Sequence, residues 1–325
     1  MDNLTHSLIG ALIGQTGLKK LSGLAMPTLI VAANIPDLDA ACSVYGTQSL
    51  AMRRGLTHGP VAMAVLPLLL TAIMVGFDRW QTRRGKRPAA RPPVRPLHLL
   101  LLAYVGTLSH PAFDWLNNYG IRLLEPFSSR WFYGDSIFII DLWIWAMLIG
   151  GLIWSWRAER QGGDWARRGS IVAVVLSAYI FGNGVTTGVA EARTAQWVRT
   201  TYGIEPELVV ASPVPIAFWQ REMLWRGGGQ HGRRDLNLAG GWLPTLVGQA
   251  TAGPVPIGMD DPRIVMAVRT DPDARAFLFW SRMPFAQPQP DGSIVLRDQR
   301  FGNPLVGDRF SVRIAPGLRS ADRGE

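Results

Sequence analysis

The chain has 325 residues, of which 48% are apolar, with 13 Trp and a single Cys. Its length allows one large domain or two ordinary ones; it is too apolar for a typical soluble enzyme, and one cysteine excludes an intrachain disulfide and any CxxC zinc or redox motif. The net charge is +9, and where that charge lies bears on function more than its size.

Six apolar runs fill the first 190 residues, at 4–18, 24–35, 61–77, 97–108, 137–156 and 170–190. Three approach the ~20 residues that cross a bilayer; the shorter ones can tilt, thin the bilayer or insert partway. The run 4–18 has neither a basic n-region nor a small-residue cleavage site, so it reads as part of the mature fold rather than as a signal peptide. Between the runs, 78–96 holds seven Lys and Arg and 157–168 holds four. The positive-inside rule explains both clusters as cytoplasmic loops, and no nucleic-acid partner is expected. With Lys19 and Lys20 the inside carries 13 basic residues, against four in the outer loops 36–59 and 114–136. That bias orients the chain: 61–77 and 137–156 run inward, 97–113 and 170–190 outward. The expected fold is mainly α, a polytopic helical membrane bundle over 1–190 that carries a metal site. A small β-rich or α+β soluble domain, 191–325, is expected to follow on the outer side. Its β-like runs are Glu207–Ser212, Ile264–Arg269, Ala276–Trp280, Ser293–Arg297 and Phe310–Ile314, with a turn at Asp291-Gly292. His231, in Gly-Gly-Gln-His-Gly, reads as a loop histidine.

An orientation drawn from Lys and Arg alone puts His6, Asp37, Asp39, His58, His110, Asp114 and Asp135 at the outer ends of their segments. Three of these histidines stand in Thr5-His6, Thr57-His58 and Ser109-His110 doublets. His6, Gly10 and Gly14 recur at i, i+4 and i+8, and a small-residue stripe of this kind packs against a neighbouring helix, so His6 is expected to face inward. In Asn34-Ile35-Pro36-Asp37-Leu38-Asp39 the proline stops the second run and presents two carboxylates at i, i+2, either of which can bind a metal or position a water. Arg53 and Arg54 precede Thr57-His58-Gly59-Pro60, where Gly59 and Pro60 shape a helix start; either arginine can meet an anionic group such as phosphate or a lipid headgroup. His110 and Asp114, at i, i+4, share a helix face, a common way to bring two ligands to one ion. Pro111 between them is expected to kink or restart the helix. Asp135 is expected to be a ligand or near-ligand carboxylate, and Asp141 a shallow supporting one. A transporter would want ionisable residues near the bilayer midplane, and only Asp141 approaches that depth.

The stretches 1–10, 33–39, 53–59, 108–117 and 130–141, which carry these residues, resemble the YdjM/DUF457 family, bacterial inner-membrane proteins described as metal-dependent hydrolases. The resemblance covers about residues 1–156 and implies an inner (plasma) membrane location and hydrolase activity. The family is in turn distantly similar to the zinc-dependent phospholipase C and P1 nuclease group, whose ligands run His, Asp, His, then His-x-x-x-Asp. His6, Asp37 or Asp39, His58 and His110-x-x-x-Asp114 follow that order. Met1 stands where that group has Trp, and no further histidine precedes His231, so one or two Zn²⁺ or similar divalent ions are expected rather than three. The leading expectation is a multi-pass membrane hydrolase with its site on the periplasmic side. His6, Asp37, Asp39, His58, His110 and Asp114 are its candidate metal ligands. Asp37, Asp39 or Asp135 is the candidate base, Arg53 or Arg54 neutralises the attacked group, and a lipid-linked or periplasmic ester is the substrate. The alternative is a non-catalytic metal-binding membrane scaffold that recruits an envelope partner.

Overall fold

A computed structural model describes residues 1–246, 251–302 and 310–316. It divides into two compact units, the first made of Met1–Asp39, Arg54–Thr187 and Pro213–Trp219, the second of 40–53, 188–212 and the chain from 220 onward.

The first unit is helical. It holds α1 (Asn3–Gln15) and α2 (Ala25–Ala32), after which a 3₁₀ stretch, Ile35–Gln48, leads out of the unit to α3 (Ser49–Met52). The chain returns at Arg54 and forms α4 (Pro60–Arg83), α5 (Pro96–Trp115), α6 (Leu142–Arg160) and the start of α7 (Trp165–Tyr202). α2 is clasped between α1 and α5. A Cβ on Gly10 would stand 2.6 Å from the Leu29 carbonyl oxygen, and one on Gly106 2.6 Å from the Ala32 Cβ, so these two glycines permit the close approach. Ile9, Leu12, Ile144, Leu148, Leu152 and Leu176 form the core beside this clasp.

α4 and α7 are the two helices, among the described residues, long and apolar enough to cross a membrane. Both leave apolar side chains uncovered, Leu68, Leu69 and Ile73 on α4 and Val174, Val175 and Phe181 on α7. The expectation of a polytopic bundle is therefore met only in part. α2, with 8 residues, spans about 12 Å, far short of the ~30 Å hydrocarbon core. α5 and α6 have the length but carry polar residues, Ser109, His110 and Asp114 in one and Arg157, Glu159 and Arg160 in the other. α5 also runs unbroken through Pro111, where a kink or restart was expected; Gly106, Thr107, His110 and Asp114 around it are buried, so tertiary packing holds the turn that the proline weakens.

In the second unit β1 (Leu208–Pro213), β2 (Gln220–Gly227), β3 (Gln230–Asn237) and β4 (Ala252–Pro256) form one sheet in that order. α8 (Pro262–Thr270) and α9 (Pro272–Trp280) follow, then an antiparallel sheet of β5 (Pro284–Pro288), β6 (Ile294–Asp298) and β7 (Ser311–Ile314). The turn at Asp291-Gly292 joins β5 to β6, with Gly292 at φ 83°. Two expected strands, Ile264–Arg269 and Ala276–Trp280, are helices instead. Asp261-Pro262 and Asp271-Pro272 each supply an N-cap carboxylate and a proline in the first turn, and both caps are made, to Arg263 N and Asp273 N. These start signals outweigh the β-like composition. His231 lies on β3 opposite Arg226 and Val255, not in a loop, with its ring 4.7 Å from that of Phe285.

Candidate metal centre

α1 starts on Asp2, whose carboxylate accepts from the Thr5 amide at 3.0 Å and the Thr5 hydroxyl at 2.6 Å; Thr5 Oγ1 also accepts from Trp145 Nε1 at 2.9 Å. The cap fixes the helix so that His6, 1% exposed, faces inward with Gly10. At the end of α2, Asn34 donates to the Ile30 carbonyl and its own carbonyl receives the Asp37 amide, a tight turn that points the chain at α5. His58 ends a short 3₁₀ turn ahead of α4. Gly59 is needed there because a Cβ would overlap the Glu125 carbonyl, and Pro60 sits in the first turn of α4.

These elements bring Asp37, His58, His110 and Asp114 together, all buried, with one donor atom of each within 4.8 Å of the others. His58 Nε2 and His110 Nε2 are 3.1 Å apart. Asp114 Oδ2 lies 3.6 Å from each, and Asp37 Oδ1 lies 4.0 Å from His58 Nε2 and 3.7 Å from His110 Nε2. Ligands at about 2.0–2.2 Å from a tetrahedral ion stand roughly 3.3–3.6 Å apart, and these separations, 3.1–4.0 Å, bracket that range.

The residues behind the group fit it for a cation. His110 Nδ1 is 2.7 Å from the Ala33 carbonyl, an acceptor, so the proton belongs on Nδ1 and Nε2 carries a lone pair toward the group. His58 Nδ1 faces the Thr57 hydroxyl at 2.9 Å and Asp39 Oδ2 at 3.4 Å, and Asp39 Oδ2 is held by the Arg54 amide at 2.7 Å and the Thr57 hydroxyl at 3.0 Å. A carboxylate behind an imidazole is the usual support of a metal-bound histidine. Asp114 Oδ2 accepts no hydrogen bond, although Arg54 Nε lies 3.0 Å away, because the guanidinium N–H does not point along the line between them. A buried carboxylate oxygen left over between two imidazole nitrogens is an acceptor site for a positive charge.

Burial opposes the charged form of His58, yet Asp114 and Asp39 together hold its pKa above the ordinary 6.5. Burial likewise pushes Asp39 up, but hydrogen bonds from His58, the Arg54 amide and Thr57 hold it below 3.8. The metal-free pair therefore adds stability above the unfolded Asp value and loses it as pH rises through the raised His58 pKa. Replacing Asp39 by Asn is expected to weaken metal binding by ~10–100-fold, measured by competition with a chelating dye. Without metal, the stability gap between wild type and this variant should be widest between about pH 4 and 6.5 and narrow above that range; a gap that grows steadily toward pH 9 would refute the pairing.

Of the other expected residues, His6 and Arg54 adjoin the group, and the contacts of Arg53, Asp135 and Asp141 lie elsewhere. His6 stacks on His110, ring centroids 3.8 Å apart, and its Nε2 lies 3.3 Å from Asp114 Oδ1, which the Met1 α-amino group also contacts. Arg54, 4% exposed, has its guanidinium over the Tyr119 ring. Arg53 closes the segment that belongs to the second unit. Asp135 is buried with φ 48°, its carbonyl accepting from Thr187 Oγ1; it stands outside the four-residue group. Asp141 caps α6 through the Trp143 and Ile144 amides and accepts from the Tyr179 hydroxyl. Asn117, not among the candidates the sequence offers, follows the end of α5. Its Oδ1 takes Arg54 Nη1 at 3.0 Å. Asn117 lies two residues past the end of α5, so helix periodicity does not signal it; the bend after the helix brings it to Arg54.

Fold and site together define a mainly helical protein with a buried Asp/His group able to hold a metal ion. The model of one family, described as YdjM inner membrane protein, matches residues 1–189, more than half of the chain, and the chain belongs to that family. No curated protein and no solved structure matches it.

Proposed function

We propose that the protein is a membrane-bound, metal-dependent hydrolase that cleaves a phosphoester or related bond at the outer face of the inner membrane. The observation that carries this reading is the four-residue group, whose donor atoms stand 3.1–4.0 Å apart and whose two imidazoles are each oriented from behind. Asp37, His58, His110 and Asp114 would hold the ion, and two imidazoles with two carboxylates suit Zn²⁺. His6 and Asp114 Oδ1 offer the place of a second ion. A divalent ion so bound supplies a Lewis acid and a water of lowered pKa. Asp39 orients His58, and its Oδ1, buried without a hydrogen-bond partner, is free to accept a proton. Arg54 balances Asp114 and brings a positive charge to the reacting centre. The ligand order shared with the phospholipase C group supports hydrolysis. The gathering of Lys19, Lys20, Glu159 and Trp165 supports one cytoplasmic end for the basic loops.

The test is turnover by the purified full chain in lipid nanodiscs, on a panel of phosphomonoesters, phosphodiesters and carboxylic esters, with and without chelator. Hydrolysis of at least one class, abolished by chelator and restored by Zn²⁺, is expected. Bound metal with no turnover on any class would favour the scaffold reading, and turnover indifferent to chelator would end the metal reading.

A further inference from the structure

Asn117 is fully buried, and its amide orientation is fixed from two sides. Oδ1 accepts from Arg54 Nη1 at 3.0 Å and from the Tyr119 amide at 2.9 Å. Flipping the amide would set donor against donor at both contacts, so the assignment is chemically determined. Nδ2 is therefore left as a buried donor with no hydrogen-bond partner. Arg54 is spent in the same one-sided way. Its Nε faces Asp114, and Nη1 gives its hydrogens to Asn117 Oδ1 and the Gly120 carbonyl, the latter at 3.3 Å. Among the described residues, Nη2 has no partner. Asn117 and Arg54, joined by their own hydrogen bond, thus hold four N–H groups without a hydrogen-bond acceptor among the described residues, the Asn117 pair fully buried. Buried donors are rarely left unpaired without a ligand or an ordered water to meet them.

We infer that Asn117 Nδ2 and Arg54 Nη2 form an oxyanion subsite beside the metal group, which takes the charged phosphoryl oxygens of an anionic ester. The inference rests on the hydrolase reading and narrows it, from a phosphoester or related bond to phosphoesters that carry charge. A neutral ester carbonyl needs one or two donors; four N–H groups around a guanidinium match a group with several charged oxygens. An ion in the group would answer the charges of Asp37 and Asp114, which frees the Arg54 charge for an incoming anion. Asn117 is then a substrate-binding residue that also fixes the guanidinium.

The experiment is calorimetric titration of inorganic phosphate into the metal-loaded full chain in nanodiscs of neutral lipid. Asn117→Asp keeps the acceptor for Arg54 and Tyr119 and replaces only the Nδ2 donor by an oxygen. It is expected to bind phosphate at least ~10-fold more weakly at unchanged metal content. Asn117→Ala, which removes the amide donor without adding charge, guards against misfolding of the first variant and is expected to show the same direction. Repeating the wild-type titration in discs with anionic phospholipid separates two sources of the oxyanion. A lower phosphate affinity there identifies a lipid headgroup as the occupant, and an unchanged one a soluble ester. Equal phosphate affinity in wild type and both variants, or no binding by wild type, would overturn the subsite. Wild type that holds no metal yet shows the Asn117 dependence would overturn the metal reading and leave the subsite standing.

Discussion

Replacing His110 by Ala is expected to strip the centre of its ion. The side chain contributes one of four donors and is tied to the Ala33 carbonyl at the end of α2. Removing a support behind a ligand costs ~10–100-fold in affinity, and removing the ligand itself should cost more. Metal analysis of the purified variant should show the bound ion lost after dialysis that leaves wild type loaded. His110 also stacks on His6, so the variant opens a cavity and loses some stability; cobalt substitution resolves the two effects, because a folded variant lacking only the donor loses the visible absorption bands and keeps its circular dichroism. Wild-type metal content in the variant would show that the group does not hold an ion.

Replacing Asp114 by Asn is expected to be the most damaging single change to stability. Asp114 is fully buried and is the common partner of Arg54, the Met1 α-amino group, His6, His58 and His110. Neutralising it leaves the buried guanidinium without a counter-charge, and breaking a buried pair from one side costs about 3–5 kcal/mol. Chemical unfolding of the metal-free proteins should show a loss of that size. The double variant Asp114→Asn/Arg54→Met should recover a good part of it, because the penalty lies in the orphaned charge rather than in a lost attraction. A single variant as stable as wild type would mean that the cluster is not held by this carboxylate.

Much of this arrangement is visible in the chain because it is local. His110 and Asp114 lie on one helix face by spacing alone, and the stripe of His6, Gly10 and Gly14 predicts a buried histidine where the structure has one. The helix starts at 261 and 271 are also local, written as Asp-Pro, but the β-branched residues of the first run and the aromatic ones of the second carry a competing strand signal. The division of labour between Asp37 and Asp39 is of another kind. An i, i+2 pair after a proline can face one way or straddle, and only the approach of the Arg54 amide and Thr57, 15 and 18 residues further on, draws Asp39 behind His58. Arg53 and Arg54 are equivalent in sequence; the left-handed φ of 53° at Arg54 decides which of them turns toward Asp114. Which helices can cross a membrane depended on where polar side chains interrupt α5 and α6, and the short run of α2 is covered by its neighbours instead of by lipid.

The excursion of residues 40–53 has a consequence for the order in which the molecule is made. Asp39 and Arg54 mark its two roots, and α3 within it packs against α9, whose first residue follows about 220 positions later. A ribosome adding ~5–20 residues per second needs on the order of 10–40 s to cover that distance. Helices α1, α2, α4 and α5 emerge early, but the loop between the two roots gains its packing on α9 only once α9 has been made. The carboxylates of Asp37 and Asp39 do not wait for it: the Asn34 turn, the Arg54 amide and Thr57 that hold them are all made early, so the ion-binding group can assemble once α5 has emerged.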